Sequence, residues 1–198
     1  MAYVAWSVVF GEQPTAAKWN ILGTNDASFN DGTGIGDNAI IHRHIGGSKM
    51  VVQMIATNFS SAATGTGLIP SDDTIPQNTE GNEFMTQAYT PKSATNRLFI
   101  EVKFQGTISS APGDLTTALF QDSTANAIAV AHAVVPTAGY MAVNLIGLDM
   151  VAGTTSAITF KVRAGSAAAA TTTFNGSGGV RRYGGIPFSY IKITEYKP

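Results

Sequence analysis

Short runs in which apolar and polar residues alternate dominate the chain after residue 50, and this two-residue period limits its fold more than any other feature. In LFIEVKF, residues 98–104, the apolar set that begins at Leu98 falls on one face, while Glu101 and Lys103 fall on the other. Side chains of a β-strand point alternately to opposite faces, so this period predicts a strand with one buried face. Residues 157–163 and 188–196 repeat the pattern and predict two more such strands.

Other runs in this part of the chain are bounded by Gly and Pro and also predict strands. They are residues 51–59, 84–90, 117–122, 127–135 and 140–146. Residues 164–173 fit a weak strand or a helix, and no amphipathic helix of convincing length follows Gly47. About eight short strands without helices predict a mostly β fold, an antiparallel sandwich of jelly-roll type.

The residues before Gly47 predict a separate strand–helix segment. Residues 3–10 are β-branched and aromatic and predict a strand, as do residues 40–45. Between them, Pro14 favours the first turn of a short helix, and Gly23 favours its end. We expect a hinge at Gly46 and Gly47, because adjacent glycines mark breaks between elements.

This N-terminal segment carries large apolar side chains on elements too short to bury them. Two alternatives follow: packing on the chain's own core, or docking on another subunit. A sandwich after Gly47 that does not need these side chains favours docking. We therefore predict an anchoring segment in residues 1–45 and a jelly-roll domain in residues 46–198. The candidate anchoring residues are Trp6, Pro14, Trp19, Leu22 and Phe29.

The amino-acid composition limits the classes of binding partner that can be expected. Charged residues make up 13% of the chain and the formal net charge is -1, so neither nucleic acid nor an anionic membrane is an electrostatically favoured partner. There are no cysteines, which excludes disulfides and thiolate chemistry. No run is long and apolar enough for membrane insertion, and the start lacks the basic region of a secretory signal. We expect a product made in the cytoplasm that hides surface in an assembly.

Several ordered blocks resemble one known family. They are AWSVVF with the following GEQPTAAKWNILGTNDASFNDGTGI, PSDDTIPQNTEGNEFMTQAYTPKSATNRLFIEV, TALFQDST, and TFKVRAG followed by TFNGS. Together they are similar to small virion proteins of tailed bacteriophages, of the tail-fibre or appendage type. The resemblance implies a C-terminal jelly roll of the tumour-necrosis-factor or C1q kind, packed as a homotrimer. It also implies a location in the virion, with other virion proteins as partners and contact with a host cell-surface glycan.

A short His-x-His element provides one candidate metal site. His42 and His44 flank Arg43 in a predicted strand, so both imidazoles project to one face. Near the axis of a trimer they would offer six imidazoles to an octahedral transition metal, as in some phage spike and fibre proteins with this element. The alternative is that both histidines are exposed or lie in an interface. No other cofactor is predicted.

Two further groups of residues have candidate roles at the surface. Asp72 and Asp73 begin the densest acidic region, which lacks the spacing of a calcium loop and favours turn-forming carboxylates. Arg181, Arg182 and Tyr183 combine two cations with an aromatic ring in a Gly-rich loop, and we interpret them as a contact with a neighbouring subunit or a sugar.

Three functional classes follow from these patterns. The first is a non-enzymatic tail-fibre or appendage protein that attaches to the particle through its N-terminal segment and exposes the jelly roll as a knob. The alternative is a capsid decoration (cement) or head-fibre protein with the same anchor on the shell. The third is a hydrolase of surface polysaccharide. No nucleophile elbow or phosphate loop is visible, and no carboxylate pair stands out, so we expect no enzyme.

Overall fold

The structure, a computed structural model, describes residues 50–198 and, in the preceding part of the chain, Ala16 alone. Residues 50–198 form one compact unit. The predicted boundary at residues 45 and 46, and the strand–helix anchor before it, lie outside the described residues and stay predictions.

Extended chain accounts for nearly all regular structure in this unit, and a 3₁₀ helix at Tyr183–Gly185 is the one helical element among residues 50–198. The strands are β1 (Val51–Phe59), β2 (Ala63–Gly65), β3 (Asn82–Tyr89), β4 (Arg97–Ile108), β5 (Gly113–Gln121), β6 (Ala129–Val135), β7 (Ala142–Val151), β8 (Ile158–Ser166), β9 (Thr172–Phe174), β10 (Gly176–Ser177), β11 (Val180–Arg181) and β12 (Ser189–Tyr196).

The longer strands pair in nested antiparallel order. β1 pairs with β12, β3 with β8, β4 with β7, and β5 with β6, as in a long ribbon folded over on itself. Two further pairs, β12 with β4 and β8 with β5, join the ribbon into two sheets. This nesting is the topology of a jelly roll, so the predicted fold class is confirmed.

β4 is the central strand of the larger, six-stranded sheet. β12 lies along one of its edges and β7 along the other, and β9 continues the edge that β12 begins. β1 flanks β12 and β2 flanks β9. The second sheet has the order β3-β8-β5-β6, which leaves β3 and β6 at its edges.

The core lies between the two sheets, where the predicted alternation is confirmed. The inward side chains of β4, from Leu98 to Phe104, are at most 1% exposed. The rings of Phe84, Phe104 and Phe174 pack against one another, and the three pairs of ring centroids are 5.1 to 5.6 Å apart. Burying a side chain of this size stabilises the fold by about 1.5–3 kcal/mol.

The structure contains more strand residues than the sequence pattern predicts. Several strands are longer than predicted, and β7 continues to Val151 because it pairs with β4 over its whole length. The Gly-rich run NGSGG, residues 175–179, contains β10 and the turn of a small hairpin with β11. Gly178 and Gly179 form that turn with φ angles of 62° and 80°, a conformation open to glycine.

A buried carboxylate joins β12 to the loop between β3 and β4. Glu195 is fully buried and accepts hydrogen bonds from the Tyr89 hydroxyl at 2.9 Å and from Asn96 Nδ2 at 2.6 Å. The backbone N–H groups of Lys92 and Ser93 also donate to it, at 2.9 and 3.3 Å. Burial raises the pKa of Glu195, but these donors together outweigh burial and lower it below its ordinary value.

Candidate functional site

All of the residues predicted to anchor the protein or bind metal lie outside the described residues. They are Trp6, Pro14, Trp19, Leu22, Phe29, His42 and His44. Over residues 50–198, no three side chains of His, Cys, Asp or Glu gather as a metal site would require. The same part of the chain contains no helix with the length and apolar character needed to cross a membrane.

The outer face of the six-stranded sheet carries the most unusual surface of the described domain. In a sandwich with one solvated face, outward positions are normally polar. Here many outward positions on β1, β4, β7 and β12 are apolar, as is the residue just before β12. We call this surface the apolar face, and its members are Met54, Phe99, Val143, Leu145, Val151, Phe188 and Tyr190.

β7 shows most clearly that apolar side chains occupy outward positions of this sheet. Leu145 points outward and is 65% exposed, whereas its neighbour Asn144 points into the core and is buried. Asn144 Nδ2 donates to the Leu115 carbonyl and to Thr117 Oγ1, both at 2.9 Å, and so links the two sheets. A strand that places leucine in solvent and asparagine in the core is expected where its outer face is also covered.

The charges on the apolar face are largely paired within the chain. Lys192 Nζ lies 2.6 Å from Glu101 Oε2, and this hydrogen bond raises the pKa of Lys192. Arg97 Nε donates to Asp149 Oδ1 at 2.9 Å. Lys103 Nζ sits 5.0 Å from the centre of the Phe188 ring. A partner covering this face would therefore bury charges that already have counter-ions or an aromatic ring.

The opposite surface, on the four-stranded sheet, exposes outward valines on its edge strand β6, Val130 and Val134, but is covered or polar elsewhere. The outward residues Ala118 and Phe120 of β5 are covered by the chain's own Ile69, with which they form a small second core. The outward residues of β8 include Lys161 and Arg163, which match the polar face predicted from sequence. The exposed apolar side chains of the sandwich are therefore unequally shared between its two outer faces.

The predicted contact residues Arg181, Arg182 and Tyr183 lie together on one exposed segment. Arg181 ends β11, and Tyr183 begins the 3₁₀ helix with a φ of 49° and 79% of its surface exposed. A positive φ is unusual for a bulky side chain and costs about 1–2 kcal/mol. The following Ile186 is also exposed. The segment thus presents arginine, tyrosine and isoleucine to solvent, residue types suited to a contact surface.

No protein-family model and no curated protein matches the sequence. The chain is similar to the solved structure of Eiger TNF from S. frugiperda, with 11% identity over 72% of this chain and 92% of that one, at a TM-score of 0.42. It is also similar to dimeric latent PorU from Porphyromonas gingivalis, with 9% identity over 75% of this chain and 13% of that one, at a TM-score of 0.37. The jelly-roll assignment rests on the strand pairing of this chain itself.

Proposed function

We propose that this chain is a non-enzymatic structural protein of a tailed-phage virion, a homotrimer of the tail-fibre or appendage type. Residues 1–45 attach it to other virion proteins, and the jelly roll projects as a knob that contacts a host-surface glycan. The protein is made in the bacterial cytoplasm and ends in the particle. The capsid decoration or head-fibre role remains the alternative, because the same anchor and knob would serve on the shell.

The apolar face supports the proposal that the protein assembles as a homotrimer. An exposed sheet surface that includes Phe99, Leu145 and Met54 is costly in a free monomer and stabilising once another copy covers it. The low charge of the chain and the internal pairing of Glu101 with Lys192 reduce the desolvation cost of such contact. A repeated contact between copies that closes around a three-fold axis gives a trimer.

The virion part of the proposal rests on the resemblance of the sequence blocks to tailed-phage appendage proteins. Gold-labelled antibody against the jelly roll, applied to purified particles, tests it. Label confined to the tail supports the tail-fibre role, and label over the head favours the decoration alternative. Particles without label would refute both.

Deletion of residues 1–45 tests the anchor separately. We expect the shortened protein to keep its oligomeric state, because the apolar face remains, and to be missing from particles assembled in its presence. Quantitative blotting of purified particles measures its incorporation against the full chain. Incorporation at the level of the full chain would show that the anchor lies elsewhere.

A further inference from the structure

A cleft of about 430 Å³ opens on the outer side of the four-stranded sheet, away from the apolar face. Pro70, Ile75 and Pro76 form one apolar wall, and Ile128 and Val130 belong to the other. Its volume falls in the range of small-molecule sites, about 300–1,000 Å³.

The wall that contains Ile75 is held in place at both ends. Before it, the backbone N–H of Ile69 donates to the Ser166 carbonyl at 3.1 Å, and the Ile69 side chain is buried in the second core. After it, the N–H of Ala127 donates to the Pro76 carbonyl at 2.9 Å, and Gln77 forms a β-bridge with Asn126. The cleft is therefore a built feature of the fold, and a ligand would not need to order it.

Five polar side chains line this cleft, and three of them differ in hydrogen-bonding capacity and face one another across it: Asp72, Thr116 and His132, with Ser71 and Thr74 beside Asp72. Thr116 and His132 are directly opposite each other on β5 and β6, and Thr116 is only 6% exposed. Asp72 approaches from the facing segment, where its Oδ1 accepts hydrogen bonds from Thr74 N–H at 2.9 Å and Thr74 Oγ1 at 2.5 Å. The side-chain and then the backbone hydrogen bond from Thr74 lower the pKa of Asp72, which keeps it ionised at neutral pH.

The polar and apolar groups of the cleft determine which class of ligand it can bind. An ionised carboxylate accepts hydrogen bonds only, whereas a hydroxyl and an imidazole can both accept and donate. Apolar walls suit a ligand with exposed C–H groups, and the carboxylate disfavours an anion. A neutral sugar ring combines hydroxyl donors, oxygen acceptors and apolar C–H faces in one small rigid body.

We propose that this cleft binds one neutral hexose unit of a glycan, with Asp72 accepting hydrogen bonds from sugar hydroxyls and Thr116 and His132 completing the polar contacts. This inference rests on the proposed contact with a host-surface glycan and gives it a location. It is independent of the apolar face, because the cleft lies on the other sheet.

Saturation-transfer difference NMR on the full chain tests the proposal with D-glucose, D-galactose, D-mannose and L-rhamnose, and with D-glucuronate as the anionic comparison. A single hexose is expected to bind with a dissociation constant of about 1 mM, a range in which this method is sensitive. We expect signal from at least one neutral sugar and a markedly weaker signal from glucuronate.

Asp72→Asn and Asp73→Asn form a matched pair of variants, because Asp73 is the neighbouring carboxylate but does not line the cleft. Asparagine retains the Oδ1 acceptor for Thr74, so the turn is expected to survive. We expect about a tenfold loss of sugar affinity in Asp72→Asn, since a charged acceptor is replaced by a neutral one, and no change in Asp73→Asn.

Three results would overturn the assignment: no signal from any neutral sugar, equal affinity in Asp72→Asn and the unaltered chain, or a stronger signal from glucuronate. The oligomeric state of both variants separates this failure from failure of the proposed function. A chain that assembles and joins particles but binds no hexose would refute the cleft alone.

Discussion

Replacing Glu195 by alanine tests the account of how β12 is held in the sandwich. The carboxylate receives hydrogen bonds from the Tyr89 hydroxyl, from Asn96 Nδ2 and from the backbone N–H groups of Lys92 and Ser93. Alanine leaves all four donors without this acceptor and removes the volume that the carboxylate filled. Glutamine retains the shape and one acceptor oxygen, and its amide can donate to the Tyr89 hydroxyl.

The expected loss in the free energy of unfolding follows from the burial of these groups. A buried donor that loses its acceptor costs about 1–3 kcal/mol, and four donors lose theirs when Glu195 is removed. We expect Glu195→Ala to lower the free energy of unfolding by about 4 kcal/mol and Glu195→Gln by about 1–2 kcal/mol. The larger loss is a substantial part of the 5–15 kcal/mol that stabilises a typical domain.

Urea unfolding followed by far-UV circular dichroism, at one fixed protein concentration, measures these losses. Glu83→Ala is the matched control, because Glu83 lies on the outer face of the four-stranded sheet, away from the apolar face, and pairs with Arg163 at 3.9 Å in a partly exposed position. Solvent screening limits that pair to less than about 1 kcal/mol. A loss in Glu195→Ala no larger than the loss in Glu83→Ala would refute this role of Glu195.

Two further predictions concern acid unfolding and the exposed segment at Tyr183. The pKa of Glu195 is lowered in the folded state, so ionised Glu195 stabilises the fold above its ordinary pKa of 4.5, and this stabilisation is lost as the pH falls through the folded pKa. The free energy of unfolding should therefore fall more steeply below pH 4.5 in the unaltered chain than in Glu195→Gln, and equal slopes would contradict this. Tyr183→Gly should raise the unfolding free energy by about 0.5–1 kcal/mol, because glycine accepts the positive φ at this exposed position, and a lower value by the same urea assay would count against strain there.

The sequence predicted the elements whose two faces differ in polarity. Residues 51–59 are predicted to be a strand and form β1 with the same bounds, and the residues of β4, β8 and β12 alternate between buried and at least partly exposed positions as expected. These segments carry their own pattern, because one face meets the core and the other does not.

Short strands and shared surfaces could not be predicted in the same way. β2 pairs with β9 across more than a hundred residues of sequence, and a three-residue strand has no pattern without its partner. Asp72 and His132 line one cleft only because the topology folds their segments together. The apolar face did leave a signal in AVNLIGLDMV, where apolar residues occupy both sets of alternate positions, but we predicted only part of that strand.

Native mass spectrometry of the full chain and of Leu145→Arg tests whether the protein assembles through the apolar face. We predict a mass three times the 20.6 kDa of one chain for the unaltered protein and for Thr86→Arg, which adds the same charge to the outer face of the four-stranded sheet. Leu145→Arg should appear as a folded monomer with an unchanged circular dichroism spectrum. A monomeric unaltered protein, or a Leu145→Arg variant that remains trimeric, would contradict this prediction.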